Sequence, residues 1–144
     1  DLDFMNIITT KSSVPICSDE GVHSKKDIDV IINNRTSNGV SLKTIKLGGI
    51  VDVLNCAIFA NENNISVNLA GKVAETSISS YAIANIATSM PQMKWDLSIT
   101  NQYLVEDPVL EPLNIKDGKV HIKETIGLGT EIDMSKAKKY IIQY

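Results

Sequence analysis

The sequence predicts an α/β fold: a parallel sheet of four β/α units, half the number that an eight-stranded β/α barrel needs. Three observations predict it. Short apolar stretches of strand length recur at Val14–Cys17, Val40–Lys43, Ile65–Leu69 and Trp95–Ile99. Segments of roughly ten to fifteen residues with helical periodicity separate them, the spacing of right-handed crossovers between parallel strands. Turn chemistry, such as Arg35–Gly39 (RTSNG), falls between these stretches and not inside them.

Taken in order, Leu2–Thr10 reads as the end of a helix with Phe4, Met5, Ile7 and Ile8 as its apolar stripe. Val14–Cys17 is a short strand entered through Lys11-Ser12-Ser13. Ser24–Asn33 is a helix with Ser24 as its N-cap and Ile28, Ile31 and Ile32 on one face. In the second strand, Val40–Lys43, the pleat sends Ser41 and Lys43 to one face and Val40 and Leu42 to the other. Gly49–Asn61 carries Ile50, Val53, Leu54, Ala57 and Ile58 at i, i+3, i+4, i+7 and i+8, an amphipathic helix. Ile65–Leu69 is the third strand. Ser77–Met90 is apolar on most sides, which predicts a largely buried helix, and Pro91 stops it. Trp95–Ile99 is the fourth strand. Beyond Asn101 the alternation breaks. Pro108, Pro112, Gly118, Gly127 and Gly129 punctuate short extended pieces such as Lys119–Lys123. Residues 1–101 are therefore expected to form the β/α part, and 102–144 a meandering tail laid over another part of the molecule.

Composition removes several function classes. A net charge of −3 without a Lys/Arg cluster argues against a nucleic-acid surface. No apolar run approaches membrane-spanning length. Cys17 and Cys56 are isolated within apolar segments and read as reduced core residues, not a disulfide framework or a zinc site. The acidic opening (DLDF) is not a signal peptide. It also lacks an initiator methionine, which leaves room for an upstream part of the same protein.

Two stretches carry chemistry. Lys43 stands at the carboxyl end of a predicted parallel strand, where β/α barrels keep their reactive groups. By itself it reads more readily as a strand-end lysine with its ammonium in solvent, since lysine is seldom fully buried. Asp19 in VPICSDE offers a short carboxylate arm at another strand end. Alone it reads more readily as a turn residue or a cap before the next helix.

Five segments in order, VPICSDE, VSLKTIKLGGI, AETSISSYAIANIATSMP, WDL and IGLGTEID, resemble the enolase superfamily. The resemblance falls within its mandelate racemase/muconate lactonizing enzyme family. It is nearest to the branch of muconate-lactonizing enzymes, dipeptide epimerases and o-succinylbenzoate synthases. The lack of a histidine in Ile65–Gly71 argues against the mandelate-racemase branch, which uses a His base on that strand. The resemblance implies the C-terminal half of a (β/α)7β TIM-like barrel with an irregular C-terminal tail packing on barrel and lid domain. It also implies an N-terminal part of the same protein that carries two more metal carboxylates.

The implied chemistry is abstraction of the proton α to a substrate carboxylate through an enediolate, dependent on Mg²⁺ or Mn²⁺, in an isomerase or lyase. Lys43 matches the family's catalytic lysine, in a superfamily whose sites use a Lys or His base. Such a base must be partly neutral near pH 7. Burial and a nearby divalent cation both lower a lysine pKa. Asp19 matches a metal ligand, since Mg²⁺ takes hard anionic oxygens. Glu20 points the other way if the strand stays extended and takes a supporting role. Lys46 falls on the opposite parity and reads as structural or surface. Glu75 matches a substrate-facing residue that assists as an acid or polar contact. It equally fits simple electrostatics at a helix N-terminus. His23 and His121 match nothing catalytic. The implied partners are a small carboxylate-bearing substrate and, as a homo-oligomer, further copies, in the cytoplasm, with no nucleic acid or membrane. Two other readings remain: an incomplete or non-catalytic half-barrel that needs a partner polypeptide, and an unrelated α/β binding module.

Overall fold

The computed structural model describes residues 1–90 and 92–142. The chain divides into two compact units, Asp1–Ala70 with Ile86–Ser98, and Gly71–Asn85 with Ile99–Tyr144. The first unit holds a parallel sheet of β1 (Cys17–Ser18), β2 (Gly39–Leu42), β3 (Ser66–Ala70) and β4 (Leu97–Ser98), neighbours in chain order as predicted. Its helices are α1 (Leu2–Lys11), α2 (Lys25–Asn34), the short α3 (Thr44–Leu47) and α4 (Ile50–Glu62). Helix α5 (Ser77–Ser89) starts in the second unit and finishes in the first. Its predicted stop, Pro91, lies outside the described residues.

Local chemistry explains these elements. The Ser24 Oγ accepts from the Asp27 amide, and the Asp27 carboxylate accepts from the His23 amide at 3.0 Å, so α2 begins with reciprocal caps. Arg35, at a left-handed φ of 51°, ends it. Register pairs Val40 with Val67 and Leu42 with Leu69, and all four side chains are fully buried. Helix α4 packs across β2 and β3 and adds Val53, Ala57 and Ala60 to this apolar layer. The opposite face of the sheet is polar. Ser41 Oγ donates to Asn68 Oδ1 at 3.0 Å, and Asn68 Nδ2 donates to the Asp96 carbonyl and to Ser98 Oγ. Below this ladder the Trp95 indole lies against Gly39, in space that only a residue without Cβ leaves open.

The structure corrects several expectations. Strand β1 is two residues long and begins at Cys17, not Val14. Pro15 has no amide to donate, and the Ile16 amide is taken by the Asn38 side chain at 2.8 Å, so Ile16 meets β2 only through its carbonyl, which accepts from the Gly39 amide at 3.2 Å. Val14 is 63% exposed. On α1, Phe4 and Ile7 of the supposed stripe are exposed, and only Met5 and Ile8 are half-buried. Cys17 is exposed and not in the core, because β1 is an edge strand whose pairing with Gly39 turns it to the polar face; Cys56 is buried as expected. Only Leu97–Ser98 of Trp95–Ile99 pairs as strand.

In the second unit the tail is irregular, as predicted. It contains a hairpin of β5 (Ile115–Lys116) and β6 (Lys119–Val120), plus α6 (Met134–Ala137) capped by Asp133. Asp117 and Gly118 both take positive φ, 51° and 70°, which matches the twist a two-residue hairpin turn needs. The first turn of α5 is clamped from 30 residues away: Ser77 donates its hydroxyl to Asp107 at 2.6 Å and its amide at 3.0 Å. The same hydroxyl accepts from Asn101 Nδ2 and the Leu113 amide. Among the described residues no helix is long and apolar enough to cross a membrane.

Candidate active site

Parallel pairing brings the carboxyl ends of β1 and β2 to one edge of the sheet, and the candidate residues meet there. After Ser18 the chain turns through Asp19–Gly21, closed by the Val22 amide donating to the Asp19 carbonyl at 3.0 Å. Lys43 leaves β2 as the N-cap residue of α3. Its ammonium lies 2.8 Å from Asp19 Oδ1, 3.0 Å from Asp19 Oδ2 and 2.8 Å from Glu20 Oε1. The turn also decides the direction of Glu20: the strand does not stay extended, so Glu20 swings to the same side as Asp19. Asp19, Glu20 and Lys43 form one cluster.

Lys46 joins it. Its ammonium donates to Asp19 Oδ1 at 3.0 Å, to the Asp19 backbone carbonyl and, at 3.5 Å, to the Ser41 carbonyl. The surface reading of Lys46 fails, because its side chain is 6% exposed. Strand parity stops applying at Lys43, where α3 begins, and helical spacing returns the third residue on to the same side. The K-x-x-K spacing just before Gly48-Gly49 was the available signal. The two cations are buried, with side chains 8% and 6% exposed, while Asp19 and Glu20 are 44% and 67% exposed. Negative oxygens therefore face outward over a cationic floor.

Electrostatics follow from this arrangement. Burial alone pulls the Lys43 pKa down, as the sequence suggested. Hydrogen bonds and charge from Asp19 and Glu20 outweigh it, and the net shift is upward from 10.5. Lys43 is thus held as an ammonium. For Asp19, burial pushes upward, but the bonds from Lys43 and Lys46 prevail and its pKa is lowered. Glu20 is lowered chiefly by its bond from Lys43.

A family model described as Enolase C-terminal domain-like matches residues 1–136. The chain belongs to the enolase C-terminal domain-like family. Within it, the chain is 30% identical over 127 residues to an o-succinylbenzoate synthase of Enterococcus faecalis, covering 87% of this chain and 34% of that protein. It is 25% identical over 134 residues to a chloromuconate cycloisomerase of Cupriavidus necator, covering 92% and 36%. The muconate lactonizing enzyme from Pseudomonas putida superposes with a TM-score of 0.88 at 26% identity, over 94% of this chain and 38% of that one. The chain thus spans about a third of the length of these relatives. Its α/β sheet corresponds to half of the enolase-type barrel.

Enolase-superfamily members use divalent metals, and the donor set here can be tested for that role. Asp19 Oδ2 and Glu20 Oε1 converge on one cation, the Lys43 ammonium, so hard anionic oxygens are already gathered around a positive charge. That chemistry fits one part of a Mg²⁺ or Mn²⁺ shell. No group of three ligand-type side chains placed to hold a metal ion exists among the described residues. Glu75 belongs to the second unit, in the loop between β3 and α5. There its carboxylate accepts from the Ser79 hydroxyl. His23 and His121 are exposed.

Proposed function

We propose that this chain is the C-terminal half-barrel of a metal-dependent enzyme that moves the proton α to the carboxylate of a small substrate, as an isomerase or lyase. The observation that carries this reading is the meeting of Lys43 with Asp19, 2.8 Å apart at the carboxyl edge of a parallel sheet. In this reading Lys43 is the acid/base, Asp19 a metal ligand, Glu20 a support for Lys43, and Glu75 an acid assistant or substrate contact. Residues 1–101 form the half-barrel and 102–144 the segment that packs on barrel and lid. The N-terminal part of the protein supplies the remaining metal ligands.

Lys43 supplies the proton movement. Its two carboxylate partners hold the charged form, ready to donate to a carbanionic carbon. Loss of the Asp19 contact leaves burial opposed by Glu20 alone and moves the balance toward the neutral amine that accepts a proton. Glu20 keeps the amine in place throughout, through its own 2.8 Å bond. A bound divalent cation would contribute positive charge to stabilise the enediolate oxygens.

The test is solvent-deuterium incorporation at the α-carbon of carboxylate substrates, followed by NMR in the gene product that carries this chain. Lys43→Ala should preserve the fold and slow exchange by about 10²–10⁴-fold, the usual worth of a general acid/base. Undiminished exchange would transfer the role to another residue.

A further inference from the structure

We propose that Lys46 is a positioning residue for Asp19, fixing the carboxylate so that Oδ2 stays available to a divalent cation. This rests on the reading of Asp19 as a cation ligand. The two lysines of the cluster are not equivalent. Lys43 spreads its ammonium over both Asp19 oxygens, 2.8 Å from Oδ1 and 3.0 Å from Oδ2, and over Glu20, and among the described residues it alone reaches Oδ2. Lys46 instead binds Oδ1 and the backbone carbonyl of Asp19, and reaches back to the Ser41 carbonyl. Three acceptors match the three hydrogens of an ammonium. All three belong to the ends of β1 and β2, so Lys46 ties those ends together and fixes residue 19 by both main chain and side chain. An ammonium whose side chain is 6% exposed is retained only where its donors are satisfied, and here residue 19 satisfies two of them.

Charge and positioning make opposite predictions. Lys46 lies 3.0 Å from Asp19 Oδ1, so on charge alone its removal would relieve repulsion and tighten binding of a second cation. If it positions the ligand, its removal frees the Asp19 side chain and weakens binding. Partners that orient a metal ligand are typically worth about 10–100-fold in metal affinity.

Titration calorimetry with Mn²⁺ decides the matter in the gene product that carries this chain. Unmodified protein should bind, and Asp19→Asn should abolish binding. Lys46→Met and Lys46→Gln should each weaken Mn²⁺ affinity by ~10-fold or more. Lys46→Arg, which keeps charge and donors, should keep more affinity than Lys46→Gln does. A melting curve shows which variants fold, and the glutamine variant serves if the methionine variant does not. Unchanged or tighter binding in Lys46→Gln, with Asp19→Asn inactive in binding, would overturn the role of Lys46 and leave that of Asp19 standing. Equal losses in the Arg and Gln variants would also overturn it, by removing charge pinning as the cause. Normal Mn²⁺ binding by Asp19→Asn would end both readings at once.

Discussion

Gly39 has no room for a methyl group. An added Cβ would sit 2.3 Å from Trp95 Cζ3 and 2.7 Å from the Ser66 carbonyl, and that carbonyl belongs to the paired strand β3. Gly39→Ala should therefore cost about 1–3 kcal/mol, the usual range for overpacking, read as a lower urea midpoint. Because the sequence has one tryptophan, its emission reports the same displacement directly. An unchanged midpoint and spectrum would mean the indole has slack that the structure does not show. In the sequence this glycine looked like the last residue of a turn. Its actual task is close approach, which depends on a partner 56 positions away in the chain (95 − 39) and leaves no local signature. Lys43 and Asp19 were legible through their motifs and through strand ends. Lys46 was not, because parity was extended three residues past Lys43, the point where strand became helix.

Among the elements, α2 was readable almost residue by residue. Ser24 precedes an apolar periodicity, and a carboxylate follows three residues later. That carboxylate gives a pH dependence with a definite sign. The Asp27 pKa is lowered from 3.8, chiefly by the His23 amide and then by Ser24. A depressed folded value means its stabilisation is full above the ordinary aspartate pKa and disappears as pH falls through the folded value. Asp27→Asn should thus cost about 1 kcal/mol near pH 6, a penalty that shrinks as pH falls below the ordinary aspartate pKa, read from urea midpoints across the acid range. A gap that stays constant with pH would assign the loss to shape and not to charge. Strand β1 was misjudged because the apolar run outweighed the visible warning of Pro15, which lacks an amide, and because nothing local shows that Asn38 captures the next amide. The Asp107 clamp on α5 was equally hidden: neither residue carries a local pattern, and 30 positions separate them.

For the whole polypeptide, the sheet ends in two strands that each pair on one side only, β1 and β4. Such edges invite association. Residues 1–144 expressed alone should self-associate in sedimentation experiments. They should bind Mg²⁺ no tighter than the millimolar range, since the described residues hold no group of three ligand-type side chains for an ion that prefers six oxygens. A monomer with tight stoichiometric binding would show that the ligands lie within the chain after all.

The polar ladder of Ser41, Asn68 and Ser98 has a bearing on assembly as well as chemistry. A one-residue slip of β2 would carry Lys43, and one of β3 would carry Asn68, into the dry layer under α4, where neither could find partners. The side chains gathered at the site therefore act as proofreaders of the sheet, rejecting arrangements that its valines and leucines alone would tolerate. A chain with that face filled by aliphatic residues would lose this check, and its sheet would drift toward several registers before it lost stability.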